Sequence, residues 1–361
     1  MVLVNIIIFI FIIGFLIFVH EFFHFLAAKK INAKVEEFCI GFPPRLYKKK
    51  VGETLYSIGI IPFGGFVNIF GDDPEDKRKG SFYKKPVMQR FQVIAAGVIS
   101  NFLIAIILFS IVFFIGYPQV IEKKTPENAK DVNIQIIFIA KNSPAEKAGL
   151  LVGDKIILLS LKNNAIRPEE ISEVQDFTQK NAGEKITLTI KRGEKIIQKI
   201  IKPRENPPEN EGPIGIMLAK TGIIKYSFLE SVLMGFKTTY RYTKLTIWSM
   251  GKVIKNAITR TTTPGLEFSG PIGVGGYFVK MADLGFVYII HFTAVLSLGL
   301  AILNSLPFPA LDGGRMVFLG IEKVKRGPVK PEIENYVNKI GLVLLIILMI
   351  VITIKDVKNL L

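Results

Sequence analysis

The chain has 361 residues, half of them hydrophobic, and a formal net charge of +16. That apolar a composition excludes an ordinary soluble enzyme, and a single cysteine, Cys39, excludes an internal disulfide framework and a thiolate metal cluster. The Lys and Arg residues flank apolar runs and no nucleic-acid-binding motif accompanies them. They therefore read as membrane topology and attraction to anionic lipid, with no nucleic-acid partner.

Residues 2–19 carry one polar side chain, Asn5, and no charge, and the run closes on His20-Glu21-Phe22-Phe23-His24 followed by Lys29-Lys30. No basic start and no small-residue cleavage site accompany it, so it reads as a retained membrane helix and not as a signal peptide. Its far end lies near the basic, hence cytoplasmic, side. The motif is H-E-x-x-H. On a helix, positions i and i+4 share one face, so both imidazoles reach a single Zn²⁺ while Glu21 sits beside its water. Two of the three histidines in the chain are spent here.

Residues 31–90 hold basic clusters at Lys48-Lys49-Lys50, Lys77-Arg78-Lys79 and Lys84-Lys85, the mark of a cytoplasmic loop. Within it, residues 54–70 are apolar, β-branched and broken by Gly64, Gly65 and Pro62, too short and interrupted for a span. They predict a β-hairpin. Such a hairpin dips into a bilayer only where protein or a water cavity satisfies its backbone; otherwise it is a surface hairpin.

A second span is predicted over residues 91–116, with Gly97, Ala95, Ala96, Ser100 and Asn101 on a small-residue face suited to close helix approach. Asn101 is read either as an interhelical hydrogen-bonding residue or as a contact to a substrate site. From residue 117 to about 204 the chain turns polar, with strand patterns at 134–138 and 186–190. The run Ser143-Pro144-Ala145, Ala148-Gly149-Leu150, Gly153-Asp154 and Ile156 resembles the S-P-A-x-x-A-G-L-x-x-G-D-x-I signature of bacterial PDZ domains. PDZ domains bind chain ends by strand addition and carboxylate capture, for which Ile214-Gly215-Ile216 is the candidate loop, or else a plain strand.

Residues 203–213 form a proline-rich linker. Residues 226–258 interleave apolar positions at helical spacing with Lys237, Arg241, Lys244, Lys252 and Lys255, which predicts a basic amphipathic helix on the membrane surface; a tilted span is the alternative. A glycine-rich approach leads to a third span at 284–306, containing His291, which has no neighbouring acid and reads as structural. Asn304, Pro307, Pro309 and Asp312 follow, where two prolines break the helix at membrane depth beside an acid, and such a place marks a site. A short basic loop and a last span at 337–354 complete the chain. Four spans with basic loops after the first and third put both termini outside, and the domain between the second and third spans outside as well. Asp312 then lies at the depth of His20 and His24, and could supply the third ligand a catalytic zinc needs; a helix-capping role is the bland alternative.

H-E-F-F-H in the first span, G-x-x-x-N at Gly97 and Asn101, one PDZ-like insert and N-x-x-P-x-P-x-L-D-G together resemble the site-2 protease family. The likeness is greatest to its RseP-type bacterial intramembrane zinc metalloproteases, and it covers essentially the whole chain. The resemblance implies His20, His24 and Asp312 as ligands of one Zn²⁺ per chain and Glu21 as general base. It also implies Asn304, Pro307, Pro309 and Asn101 as substrate-side residues, and the segment at Gly64 and Gly65 as a membrane-reentrant β-loop pairing with an unwound substrate.

The expected fold is an α-helical polytopic membrane protein of about four spans with a membrane-associated β-hairpin and an inserted α+β PDZ-like domain. The expected division is a first catalytic half at 1–118, an extracytoplasmic PDZ-like domain at 119–218, linker and amphipathic helices at 219–282, and a second catalytic half at 283–361. The expected activity is cleavage of single-span membrane proteins, such as an anti-sigma factor, or of signal-peptide remnants, in a bacterial inner membrane near its cytoplasmic side. Well-known members carry two tandem PDZ domains and this chain has room for one. The rival readings are a non-catalytic membrane-anchored PDZ adaptor, which gives Glu21 and Asp312 no task, and a metal transporter, which lacks the internal repeat common in transporters.

Overall fold

The first helix of the computed structural model, α1 (Val2–Lys30), continues unbroken through the H-E-x-x-H motif to its terminal lysines. The structure describes residues 2–72, 78, 80–121, 126, 128–209, 211–259 and 270–360, so Lys77 and Lys79 of the second basic cluster lie outside the described residues. After α1 come β1 (Val35–Val51), β2 (Thr54–Ile69), a 3-10 turn at Phe82–Lys84 and α2 (Val87–Ile115). The sequence predicted strand character only from residue 54. Strand β1 escaped because Pro43, Pro44 and three consecutive lysines mask its pattern.

The β1–β2 hairpin folds back on itself: residues 37–40 pair with 65–68 on one side and with 55–58 on the other, while 47–51 pair with 54–58. Glycine permits that crossing. Gly41 has φ +83°, and a methyl on Gly59 would overlap the Phe42 backbone. The base of the hairpin packs Val35, Phe38 and Ile69 with Phe25 and Ala28 of α1 and Val93 of α2, a dry cluster that fixes the ribbon against the motif-bearing helix.

The middle of the chain supplies β3 (Tyr117–Val120), β4 (Lys130–Ile139), α3 (Pro144–Lys147), β5 (Lys155–Leu161), β6 (Asn164–Ile166), α4 (Ile171–Lys180), β7 (Ile186–Arg192), β8 (Lys195–Ile201) and β9 (Ile216–Ile224). They build one antiparallel sheet of order β3-β9-β4-β5-β7-β8, with β6 on β5, around a core that includes Ile134, Leu159, Phe177 and Leu188. The S-P-A and G-D residues carry structural work. Ser143 accepts from the Glu146 N–H at 3.2 Å to cap α3. Asp154, fully buried, accepts two bonds of 2.7 Å from Arg192 and one of 2.8 Å from the Leu151 N–H. Gly149 and Gly153 take φ of +71° and +99°.

The later described residues supply the helices α5 (Phe228–Thr259), α6 (Pro271–Ala282), α7 (Phe286–Ser305), α8 (Asp312–Lys325) and α9 (Pro331–Leu360). Helix α8 runs on into the start of the basic loop predicted at Lys323, Lys325, Arg326 and Lys330, ending at Lys325. Among the described residues, four helices, Val2–Lys30, Val87–Ile115, Phe286–Ser305 and Pro331–Lys358, are long and apolar enough to cross a membrane. Helix α5 is arranged inside out, with Ser231, Gly235, Thr238 and Thr239 buried while Phe236, Tyr240, Ile247 and Trp248 are exposed. Lys237, Arg241, Lys244, Lys252 and Lys255 are exposed too. Two units cluster separately: residues 1–109, 234–279 and 291–361 in one, residues 110–233 and 280–290 in the other.

Candidate metal centre

Helical spacing stacks the imidazoles of His20 and His24 edge to face, with ring centroids 4.6 Å apart and Nε2 atoms 3.0 Å apart. Asp312 opens α8 directly after the broken segment 306–311, and its Oδ2 lies 3.0 Å from His20 Nε2 and 3.4 Å from His24 Nε2. Local sequence enforces that break. Methyl groups on Gly313 and Gly314 would run into the carbonyls of Leu306 and Phe308, so only glycine lets the helix start this tightly.

Second partners decide what these atoms can do. His24 Nδ1 is 2.8 Å from the Val93 carbonyl of α2, an acceptor only, so Nδ1 carries the proton and Nε2 presents its lone pair. His20 Nδ1 faces the Asn101 amide at 3.3 Å, and Asn101 Oδ1 is buried without a hydrogen-bond partner. The two ends of an amide are exchangeable in assignment. With Oδ1 toward His20 the amide accepts the Nδ1 proton, and His20 Nε2 then presents a lone pair as His24 Nε2 does. Asp312 Oδ2 likewise has no hydrogen-bond donor. One ligand atom from each of the three residues, His20 Nε2, His24 Nε2 and Asp312 Oδ2, therefore converges on one point, all within 4.8 Å of one another. Such a set is repulsive by itself and fits a cation, and two imidazoles with one carboxylate fit zinc with a position left open for catalysis.

Helix α2 approaches this centre through Gly97, where a methyl group would fall on His24 Nε2 and within 2.8 Å of His20 Cε1. The Asn101 carbonyl in turn accepts from the Ser297 hydroxyl of α7 at 2.8 Å, tying the third apolar helix to the second. Glu21 is half-buried, and its carboxylate accepts the backbone N–H of Val67, so β2 lies beside the motif. Gly65 is close to the Cys39 carbonyl, and Gly64, with φ +99°, approaches Ile17 of α1. Among the described residues, no strand pairs with the other edge of residues 65–68.

Asn304 sits half-buried in the last turn of α7, Pro307 is exposed, and Pro309 packs on Gly341 of α9. His291 lies against Phe109 and Tyr242, away from the cluster. In the other unit, Ile214, Gly215 and Ile216 line a cavity of about 310 Å³ against α4 residues Ile171, Val174 and Thr178. Strand β9 there pairs with β4 along Ile216–Ile223, whereas β3 and Ile121 join its other side only from Lys220 onward, which leaves residues 216–219 without a strand partner on that edge among the described residues. Sequence reasoning missed Val93 and Ser297. A backbone acceptor has no sequence signal, while Ser297, a hydroxyl inside an apolar run, had one.

The family model for peptidase family M50 matches residues 8–348. A provisionally named zinc metalloprotease of Clostridium acetobutylicum is 34% identical, covering 98% of this chain and 97% of its own length. The regulator of sigma-E protease RseP of Escherichia coli is 28% identical over 435 aligned positions, covering 93% of this chain and 94% of its own. The regulator of sigma-W protease RasP of Bacillus subtilis is 27% identical, covering 99% of each. Because 435 positions exceed the 361 residues here, the E. coli protein carries a stretch without counterpart in this chain. A solved PDZ domain of an SdrC-like protein from Listeria monocytogenes matches 27% of this chain and 93% of its own length. It does so at 23% identity with a TM-score of 0.20, too low to carry an argument about fold.

Proposed function

This chain belongs to peptidase family M50, the site-2 metalloproteases, and we propose that it hydrolyses single-span membrane segments at the His20, His24 and Asp312 centre. It is a zinc metalloendopeptidase and a bacterial membrane protein. The observation that carries the site assignment is the convergence of three possible ligand atoms within 4.8 Å of one another, with Glu21 alongside.

His20, His24 and Asp312 hold the metal, each imidazole aimed by its partner on α2. Zinc, when held there, supplies Lewis acidity to the scissile carbonyl and to the attacking water. Glu21 accepts the proton of that water on its carboxylate and delivers it to the leaving amine. A helical substrate hides its carbonyls in i to i−4 bonds, so the segment must unwind before attack. The edge of residues 65–68 that no described strand pairs with, whose Val67 N–H meets Glu21, offers its remaining backbone groups as partners that compensate those lost bonds. Asn304, Pro307 and Pro309 flank Asp312 and contact the unwound segment; Asn101 acts on His20. The relatives named as sigma-E and sigma-W regulators support membrane-bound anti-sigma factors as one substrate class, with signal-peptide remnants as another.

The basic loop after α1 supports a catalytic centre near the cytoplasmic face of the inner membrane. The sheet unit then lies outside as a PDZ-like domain, its Ile214-Gly215-Ile216 slot receiving an extended chain. Glu21→Gln tests the reading: zinc content stays at the wild-type level and cleavage of a single-span substrate in detergent is lost. Wild-type-like cleavage by that variant removes the assignment, and a wild-type protein that binds chain ends without cleaving anything supports an adaptor instead.

A further inference from the structure

Arg315 lies three residues after Asp312 on α8, a spacing that places two side chains on one helix face about 5–6 Å apart. Arginine and a carboxylate at that spacing form a strong charge-assisted pair if nothing else holds either one. Here Arg315 is held elsewhere. Its Nη2 pairs with Oδ1 of Asp72, in the segment immediately after β2. Among the described residues, the acids within electrostatic reach of Arg315 are Asp72, Asp312 and Glu334. Glu334 is in contact with the Tyr83 hydroxyl, and Arg90, a buried arginine, donates to Glu322 at 2.5 Å and to the Lys85 carbonyl at 3.0 Å. Each arginine thus has an acid of its own, and Asp312 is left with a carboxylate oxygen that has no donor.

We propose that Asp72 is a positioning residue for the metal centre: by engaging Arg315 it keeps that guanidinium off Asp312 and leaves the Asp312 carboxylate to the metal. The proposal rests on Asp312 being a ligand. It gives the segment after the hairpin a task distinct from substrate pairing. Without Asp72, rotation of the Arg315 side chain is enough to bring its fork onto Asp312, where it competes with zinc for the same oxygens. With Asp72 present, the ion pair also fixes the end of β2 against the helix that begins at the ligand.

The test is zinc affinity of the full-length protein in detergent, measured by competition with a chromophoric chelator, across five variants. Asp72→Asn is expected to weaken zinc binding about tenfold or more, the scale of losses at groups supporting metal ligands. Asp72→Glu keeps the pair and stays within about threefold of wild type, as does Arg315→Met, which removes the competitor. The decisive variant is Asp72→Asn combined with Arg315→Met, which returns zinc affinity to within about threefold of wild type because the competing cation is gone. If the double variant binds zinc as weakly as Asp72→Asn, or if Asp72→Asn leaves affinity unchanged, the pair is a structural brace and the proposal is wrong. Asp312→Asn separates the two claims. Unchanged zinc affinity there overturns the ligand assignment and the proposal with it, whereas loss there together with no rescue by the double variant overturns the proposal alone.

Discussion

Gly97 stands so near His24 that a single methyl on its Cα would fall on the imidazole Nε2, the atom facing Asp312. Packing of α2 against α1 and ligation by the motif are therefore one geometric condition. Gly97→Ala must either push α2 outward or rotate the His24 ring off its Val93 acceptor. Displacements near 1 Å at a reacting centre cost on the order of 10²-fold in rate, so peptide cleavage is expected to fall at least that far. Zinc retained per chain should fall in parallel. Cleavage within about twofold of wild type would mean that α2 does not set the position of the ring.

Asn101 makes a separable prediction. As the acceptor for the His20 Nδ1 proton, it fixes the tautomer that leaves Nε2 free, and removing such a partner costs about 10–100-fold in metal affinity. Asn101→Ala is expected to lose zinc to a chelator on that scale, while Asn101→Asp keeps an acceptor and loses less. Were Asn101 only a helix-packing residue, thermal stability would drop in both variants with zinc affinity unmoved. Its backbone carbonyl, bonded to Ser297, serves packing whichever side chain is present.

Much of this centre was legible in the sequence because its signals are periodic or costly. Two histidines at helical spacing need no fold to be placed together, and Asp312 was found through depth, since alternating spans return the chain to the same side of a membrane. What stayed hidden is of a different kind. Val93 contributes a carbonyl, which every residue has. The Arg315–Asp72 pair joins positions 243 residues apart, beyond any local pattern. Strand β1 was concealed by Pro43, Pro44 and Lys48 to Lys50, because its outer half is exposed and so carries surface residues in place of an apolar alternation. Helix α8 was concealed by its charges, which supply the partner of Arg90 as well as the exposed face.

The hairpin carries an acid-sensitive tie. The Arg45 guanidinium, bonded to Glu37 at 2.7 and 2.6 Å, and the Ser57 hydroxyl at 2.5 Å hold the Glu37 carboxyl below the ordinary carboxylate range. A depressed folded-state pKa contributes stability that is present above the unfolded value and lost as pH falls through the folded one. Amide exchange of residues 35–69 should therefore keep its protection from neutral pH down to about 4.5, near the free glutamate value, and lose it progressively below. Glu37→Gln is expected to show the unprotected level already at neutral pH, with little further change on acidification beyond the intrinsic exchange rate. Equal protection in the variant and wild type at neutral pH would show that the Arg45 pair does not hold the ribbon.

Trp248 is the one tryptophan of the chain and stands on the exposed side of α5, with the Lys252 ammonium 4.1 Å from its ring centroid. An indole capped by a lysine suits the headgroup boundary, where the ring meets acyl chain and the cation meets phosphate. The polar, small residues of α5 face inward and its aromatic and basic residues outward, the reverse of a helix folded for water. If α5 lies along the membrane surface, Trp248 emission in reconstituted vesicles is quenched more strongly by lipids brominated near the headgroup than by lipids brominated toward the chain end. Replacing Lys237, Arg241 and Lys244 with glutamine should weaken that preference in vesicles rich in anionic lipid, because each basic residue near such a surface contributes about 1 kcal/mol. Stronger quenching from the chain ends would place the indole at the bilayer centre and make α5 a fifth crossing. That outcome would reverse the side on which residues 271 onward begin, and with it the depth argument that brings Asp312 to the histidines, so the fluorescence of a single residue tests the topology of the whole catalytic half.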